Sequence, residues 1–240
     1  MTDLSCLTDG GRMSRRRALG LLGGLGLTAI VAACSGEDDS SAPPREAART
    51  TDTASAGDDT CVLTPELTEG PYYLDLDLVR RDITEGRPGT PLDLRVTVVD
   101  AEGCAPVEDA AVDVWHCDAG GSYSGVAGDE GTFLRGVQMT DADGAAEFRT
   151  VYPGWYTGRA VHIHVKVLLG GNETHTGQLF FDEATSAAVY EADPYAARGA
   201  PDTPNSADGI FSQSDGSTVV AVTSEGDGYR GAVTLGVQRA

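Results

Sequence analysis

Basic residues are scarce in this chain. Its 240 residues include 17 Lys and Arg against 37 Asp and Glu, which gives a formal net charge of −20. Nucleic acid and anionic membrane surfaces are therefore excluded as expected partners. Aromatic residues are also few, at 6%, whereas glycine is abundant, with 31 residues. This composition favours a turn-rich all-β domain over a helical bundle.

No apolar run at the N-terminus reaches the length of about 20 residues that a membrane-spanning helix needs. Its apolar stretch, Leu19 to Val31, has 13 residues and follows three consecutive arginines at 15–17. This arrangement predicts a twin-arginine signal peptide over residues 1–33 and export from the cytoplasm. Val31-Ala32-Ala33-Cys34 resembles a lipobox, so Cys34 is expected to carry a lipid anchor; the alternative is an ordinary cleavage site.

Large apolar residues are nearly absent from the segment that follows. Residues 34–60 are rich in Ser, Ala, Thr, Asp and Pro. Such a segment buries too little surface to offset its ordering entropy, and it is predicted to be a disordered tether.

Residues 61–240 are predicted to form one antiparallel β-sandwich, because short alternating stretches are separated by turn residues. The predicted strands are 93–100, 111–116, 145–151, 162–169, 176–181, 217–223 and 231–237. A short helix is predicted within 183–195. The irregular segment 193–210 has the length of a binding loop.

Three cysteines follow the tether: Cys61, Cys104 and Cys117. An exported domain can keep a disulfide, but spacing alone does not assign the pair. We favour Cys61–Cys104, because Cys117 continues a strand that ends in Trp-His. No Cys-x-x-Cys motif is present, which argues against a cysteine-based zinc or redox site.

A His-x-His pattern is the main chemical signal. In a strand, alternate side chains point to the same face, so His162 and His164 point one way and Ile163 the other. Two imidazoles on one face suit iron, copper, nickel or zinc. A half-buried polar face without a metal is the alternative for this pattern on its own. His175, beside a turn, is interpreted as exposed, and His116 as structural.

Four motifs resemble the intradiol ring-cleavage dioxygenases, a family that includes catechol 1,2-dioxygenase and protocatechuate 3,4-dioxygenase. They are Thr-Glu-Gly-Pro-Tyr-Tyr at 68–73, Asp-Val-Trp-His-Cys-Asp at 113–118, Pro-Gly-Trp-Tyr at 153–156 and Arg-Ala-Val-His-Ile-His at 159–164. The family usually has Pro where this chain has Ala160. The resemblance covers about residues 61–215, and the N-terminus is similar to an exported branch.

The resemblance implies a non-haem Fe(III) centre held by Tyr123, Tyr156, His162 and His164. Phenolate is a hard anionic donor that suits a ferric ion, whereas two histidines with one carboxylate would suggest Fe(II). The implied reaction cleaves a catechol with O2 to a cis,cis-muconate, and Tyr156 is the ligand expected to give way to substrate.

Further roles are implied by matching positions. Arg159 corresponds to an arginine near the reacting ring carbons, and Gln178 to a glutamine that assists it. Pro71 and Tyr72 correspond to residues that line the catechol pocket. Two other classes of protein remain open: a non-enzymatic exported lipoprotein that binds sugar or protein, and a zinc hydrolase. Metal content separates the three.

Overall fold

The computed structural model describes residues 61–239, which form eight strands and one α-helix. The predicted signal peptide and tether lie outside the described residues. The strands are β1 (Pro91–Asp100), β2 (Ala111–Trp115), β3 (Arg135–Met139), β4 (Ala145–Val151), β5 (His162–Leu169), β6 (Asn172–Phe180), β7 (Ala221–Glu225) and β8 (Gly228–Val237). Helix α1 spans Glu183–Val189.

The strands form two four-stranded sheets, in the orders β4-β1-β8-β7 and β3-β2-β5-β6. The all-β class predicted from the sequence is confirmed, but the prediction of a purely antiparallel sandwich is wrong. β1 and β8 are parallel, with Leu92 opposite Tyr229 and Asp100 opposite Val237. The other pairings are antiparallel. Parallel strands require a long crossover, and here the crossover includes the whole second sheet.

The main core lies between the sheets and follows the alternation of the strands. From β5 it receives Ile163, Val165 and Val167, which are fully buried, and β1 contributes Leu92 to Val98 at alternate positions. The opposite face of β5 therefore carries His162, His164 and Lys166. That face is also buried, because loops cover it. The candidate site lies on this outer face, under the loops.

Most predicted strands are present, with several changes of boundary. β3 was not predicted, β6 begins at Asn172 and β7 begins at Ala221. The predicted helix ends at Val189; it begins after Asp182, whose side chain accepts from the backbone N–H of Thr185. The irregular segment contains one short 3₁₀ turn, Asn205–Ala207, and a second one, Phe211–Gln213, comes directly after it.

The Cys61–Cys104 disulfide favoured from the sequence is confirmed, with the two Cα atoms 5.3 Å apart. Cys117 is a free, buried thiol. Within residues 61–239, no helix combines the length and the apolar character needed to cross a bilayer.

The interpretation of His175 as exposed is wrong. Its side chain is 1% exposed, and the residue lies opposite Val167, whose side chain belongs to the core between the sheets. Its Nε2 atom is buried without a hydrogen-bond partner. The turn at Gly170 and Gly171 misled the prediction, because the strand begins at Asn172, three residues before the histidine.

Candidate metal centre

Strand β5 holds the two histidines of the His-x-His pattern side by side. The Nε2 atoms of His162 and His164 are 3.2 Å apart. The Nδ1 atom of His162 donates to the carbonyl of Ala160 at 2.6 Å, so Nε2 keeps its lone pair. Histidines that bind metals in proteins use such a backbone contact to fix ring orientation.

His164 is oriented by packing on two sides. The Trp115 ring, on the neighbouring strand β2, stacks on the imidazole with a centroid distance of 4.9 Å and an interplanar angle of 6°. Gly70 closes the other side: a Cβ atom there would lie 3.0 Å from Cε1 of His164, and its φ is +77°. Glycine at position 70 therefore allows the backbone to lie directly against the ring.

Two tyrosine hydroxyls from different loops reach the histidine pair. The Tyr123 hydroxyl lies 3.2 Å from Nε2 of His164, and the Tyr156 hydroxyl lies 3.1 Å from Nε2 of His162. The two tyrosine rings lie edge to face, with their centroids 5.8 Å apart. The loop before Tyr123 is shaped by Asp118, whose carboxylate accepts from two backbone N–H groups within it. The four donor atoms are therefore linked in the order Tyr123, His164, His162 and Tyr156, and we call this set the four-donor ring.

The four-donor ring fits a first-row metal ion. Adjacent ligands that bind such an ion at about 2.0–2.2 Å are separated by about 3–3.5 Å, in agreement with the spacing in the ring. Among residues 61–239, no group of three or more His, Cys, Asp and Glu side chains is arranged to hold a metal. The two tyrosines would therefore have to complete the ligand set.

Burial controls the charge of the four donors. It lowers the pKa of His162 to about 3 and that of His164 well below its ordinary value, so both are neutral and able to coordinate. Burial also raises the pKa of Tyr123 and that of Tyr156. A bound cation reverses this effect by favouring the anionic phenolate. The phenolates and the cation would thus each stabilise the other.

Arg159 lies between the four-donor ring and Gln178. Arg159 and Gln178 are the two side chains that the resemblance implies assist catalysis. One nitrogen, Nη1, is 3.5 Å from the Tyr156 hydroxyl. Nη2 donates to the side-chain oxygen of Gln178, whose own amide nitrogen donates to the carbonyl of Thr68 at 2.8 Å. The structure thus brings the two sequence-predicted side chains into one hydrogen-bonded chain.

A cavity of about 370 Å³ opens beside the two tyrosines. Tyr72 lines it, and its ring is 4.7 Å from that of Tyr123 between centroids. Asp129 and Ser122 contribute polar atoms to its wall. Pro71 is exposed, in the turn that precedes Tyr72. The structure thus brings Tyr72 to the cavity beside the four-donor ring, whereas Pro71 is not among the residues that line it.

Sequence reasoning missed two residues that contact the site. Trp115 was noted only as part of a motif, although its ring covers His164. Asp208 was included only in an irregular segment, yet its carboxylate contacts Arg159 at 2.9 Å. Alternation in β2 could have identified Trp115, because position 115 pairs with His164 across the sheet. No local pattern marks Asp208.

Comparisons with known proteins agree with this fold. Residues 64–198, more than half of the 240-residue chain, match the Dioxygenase_C family, described as "Dioxygenase". An intradiol ring-cleavage dioxygenase from Tetranychus urticae has a similar structure, with a TM-score of 0.71 and 34% identity; the match covers 74% of this chain and 95% of that one. The dioxygenase domain of a dioxygenase carbohydrate-binding protein fusion from Streptomyces sp. SirexAA-E has a TM-score of 0.59 and 33% identity, covering 74% and 99%.

The fold and the four-donor ring define a β-sandwich with a two-tyrosine, two-histidine centre, and the chain belongs to the intradiol ring-cleavage dioxygenase family. This confirms the resemblance seen in the sequence. A chlorocatechol 1,2-dioxygenase from Cupriavidus pinatubonensis is 35% identical over 136 residues, which are 48% of this chain and 53% of that protein. The chain thus spans about half the length of that curated relative.

Proposed function

We propose that the protein is a non-haem Fe(III) intradiol dioxygenase, which cleaves a catechol with O2 between its two hydroxyl-bearing carbons to a cis,cis-muconate-type product. The observation that carries this proposal is the four-donor ring of Tyr123, Tyr156, His162 and His164, with neighbouring contacts of 3.1–3.2 Å. When bound, ferric iron supplies a Lewis acid that binds both catechol oxygens and activates the ring toward O2.

Tyr156 is the residue that takes a proton from the substrate. Both tyrosines border the cavity, but Tyr156 is half-buried whereas Tyr123 is 5% exposed. A catechol that enters from the cavity meets the Tyr156 oxygen first. The Tyr156 phenolate would be a strong base beside the incoming hydroxyl, so it would accept the proton with little rearrangement.

Arg159 stabilises negative charge that develops on the ring. Its guanidinium is a cation, and Nη1 lies 3.5 Å from the Tyr156 hydroxyl. Gln178 accepts from Nη2 and so keeps the guanidinium plane in one orientation. A fixed cation close to the reacting carbons lowers the barrier, because it needs no reorganisation during the step.

The cavity binds the catechol ring. Tyr72 offers an aromatic face at its wall, and Pro71 fixes the turn that presents Tyr72. At about 370 Å³ the cavity has room for one substituted benzene ring. O2 and a catechol-type small molecule are the proposed partners.

Metal analysis together with the visible spectrum tests this proposal. The purified protein should contain about one iron per chain and show a phenolate-to-Fe(III) charge-transfer band. Tyr123→Phe should weaken the band and the iron binding, since it removes one donor. Tyr73→Phe is the matched control, because that hydroxyl bonds Asp113 outside the four-donor ring, and it should keep both. A colourless protein that holds zinc, or no metal, would favour a hydrolase or a non-enzymatic binding protein instead.

We also propose that the protein is exported by the twin-arginine route and anchored by lipid at Cys34. The support is the arginine run at 15–17 and the Val-Ala-Ala-Cys sequence at 31–34. Cys34→Ser should move the protein from the membrane fraction to the soluble fraction. Wild-type protein that is already soluble outside the cell, with an N-terminus after position 34, would refute the anchor.

A further inference from the structure

Asp208 is a buried carboxylate in the loop between the two 3₁₀ turns. Its side chain is 1% exposed. One oxygen, Oδ2, accepts from Nε of Arg159 at 2.9 Å and from the backbone N–H of Ala160 at 2.7 Å. The other, Oδ1, accepts from the backbone N–H groups of Ile210 at 2.7 Å and Phe211 at 3.2 Å.

The carboxylate is ionised at this position. Burial raises the pKa of Asp208, but the backbone N–H groups of Ala160 and Ile210, together with the Arg159 guanidinium, hold it below its usual value. Arg159 is itself only partly exposed, with 19% of its side chain accessible. A buried carboxylate with four donors, one of them a cation, is fully satisfied, so it forms a rigid support.

The guanidinium of Arg159 is consequently held on three sides. Nε contacts Asp208, Nη2 contacts Gln178 and Nη1 faces the Tyr156 hydroxyl. An arginine side chain has many rotamers, and a single contact to Gln178 would leave the guanidinium free to swing toward solvent. The contact to Nε fixes the plane, because the nitrogens of the guanidinium have a rigid fork geometry.

We infer that Asp208 is a positioning residue for Arg159: it directs Nη1 at the Tyr156 oxygen, and it couples the 3₁₀ turn that begins after Ile210 to the four-donor ring. The structural part of this inference concerns the Asp208–Arg159 pair alone, whereas its effect on turnover rests on the proposed function.

A carboxylate is needed for this role because all four partners of Asp208 are N–H donors. An asparagine has the same shape, but its amide group would present N–H₂ to two of those donors. Alanine at position 160 also contributes, since a proline there would have no N–H to donate to Oδ2. The pair is therefore sensitive to the chemistry of position 208 more than to its volume.

Hydrogen exchange of the Arg159 Nε–H group tests the pairing without any use of activity. The group is observed by ¹H–¹⁵N NMR in protein loaded with a diamagnetic trivalent ion such as Ga³⁺, and assigned by its absence in Arg159→Lys. In Asp208→Asn its exchange should be at least about tenfold faster, because a neutral amide with one acceptor oxygen replaces the carboxylate. Asp202→Asn is the matched control: Asp202 is exposed on the same loop and accepts from Gly158 at 3.2 Å, so exchange should stay unchanged.

Kinetics on the iron-loaded full chain test the consequence. Asp208→Asn should keep its iron and its charge-transfer band, keep KM within about threefold, and lower kcat by about 10- to 100-fold, the scale of a misplaced catalytic group. In an Arg159→Ala background, Asp208→Asn should lower kcat little further, because the effects of residues that act as a unit are not additive.

Both the exchange and the kinetic experiment can refute the proposed role of Asp208. Unchanged Nε–H exchange in Asp208→Asn would overturn the inference, as would an equal loss of kcat with and without Arg159. If Asp208→Asn does not fold, Arg159→Lys replaces it: lysine keeps the charge but has no Nε–H for Asp208, so it should keep iron and lose turnover, and wild-type turnover would overturn the inference. A wild-type protein without catechol turnover would refute the proposed function, while the exchange experiment would still decide the pairing.

Discussion

His175 gives the protein a predictable sensitivity to acid that is independent of the metal centre. Its imidazole is 1% exposed, and its Nε2 atom has no hydrogen-bond partner. Burial lowers its pKa from 6.5 to about 4. The unfolded chain therefore takes up a proton below pH 6.5, whereas the folded chain does so only below about pH 4. Folding stability is complete above the unfolded pKa and falls as the pH decreases through this window.

The size of the effect follows from the two pKa values. One group with a folded pKa of about 4 and an unfolded pKa of 6.5 costs about 2 kcal/mol of stability between pH 7 and pH 5. Glu173, the neighbouring charge, acts against this shift but does not cancel it. Replacement of His175 by Leu removes the titration and keeps a side chain of similar volume on the core face.

Urea unfolding followed by tryptophan fluorescence measures the difference. Between pH 7 and pH 5, the free energy of unfolding should fall by about 2 kcal/mol more in wild type than in His175→Leu. The other buried histidines titrate equally in both proteins, so they cancel in this difference. Leu179→Val is the control, since it trims the same strand without a titrating group; its cost should be the same at both pH values. An identical pH dependence for wild type and His175→Leu would refute the burial argument.

Four further outcomes follow from the site. His164→Ala should lose iron and colour, measured by metal analysis, because it removes one of four donors. Arg159→Ala should keep both but lose turnover by about 10²–10³-fold in a catechol assay, and full activity would remove it from the mechanism. Gly70→Ala should lower iron affinity in a chelator competition, because its Cβ would lie 3.0 Å from His164. Gly86→Ala is the control: this glycine has φ +72° and open space around it, so the change should cost only backbone strain of about 1–2 kcal/mol. Catechol should have a higher kcat/KM than the carboxylated protocatechuate, because Asp129 lines the cavity and no Lys or Arg does so among its described wall residues; a preference for protocatechuate would contradict this.

Local patterns in the sequence were sufficient to predict β4 and β5, the second of which carries the two histidines of the site. β4 and β5 have the predicted bounds, because both are clear alternating stretches bounded by turns or glycines. Alternation also predicted that His162 and His164 share a face. β3 escaped prediction because Arg135–Met139 contains glycine, glutamine and arginine, and its burial comes from loops that cross it.

Contacts between distant segments could not be predicted from local patterns. The parallel pairing of β1 with β8 depends on residues at opposite ends of the domain. The link between Asp208 and Arg159 spans 49 positions and starts in a loop without periodicity. The four-donor ring was predicted only because the resemblance supplied Tyr123 and Tyr156; the His-x-His pattern alone also fitted a polar strand face.

The parallel β1–β8 pair has a consequence for synthesis of the protein on the ribosome. β1 is the first strand to emerge, and its partner β8 is the last of the described strands. Until Val237 has left the exit tunnel, one edge of β1 remains open while the second sheet is already able to form. The nascent domain therefore exposes one edge of β1 until β8 is made, a state in which strands of neighbouring chains pair readily. Completion of the sheet requires closure of a loop longer than half the chain, so this step of folding is expected to be slow.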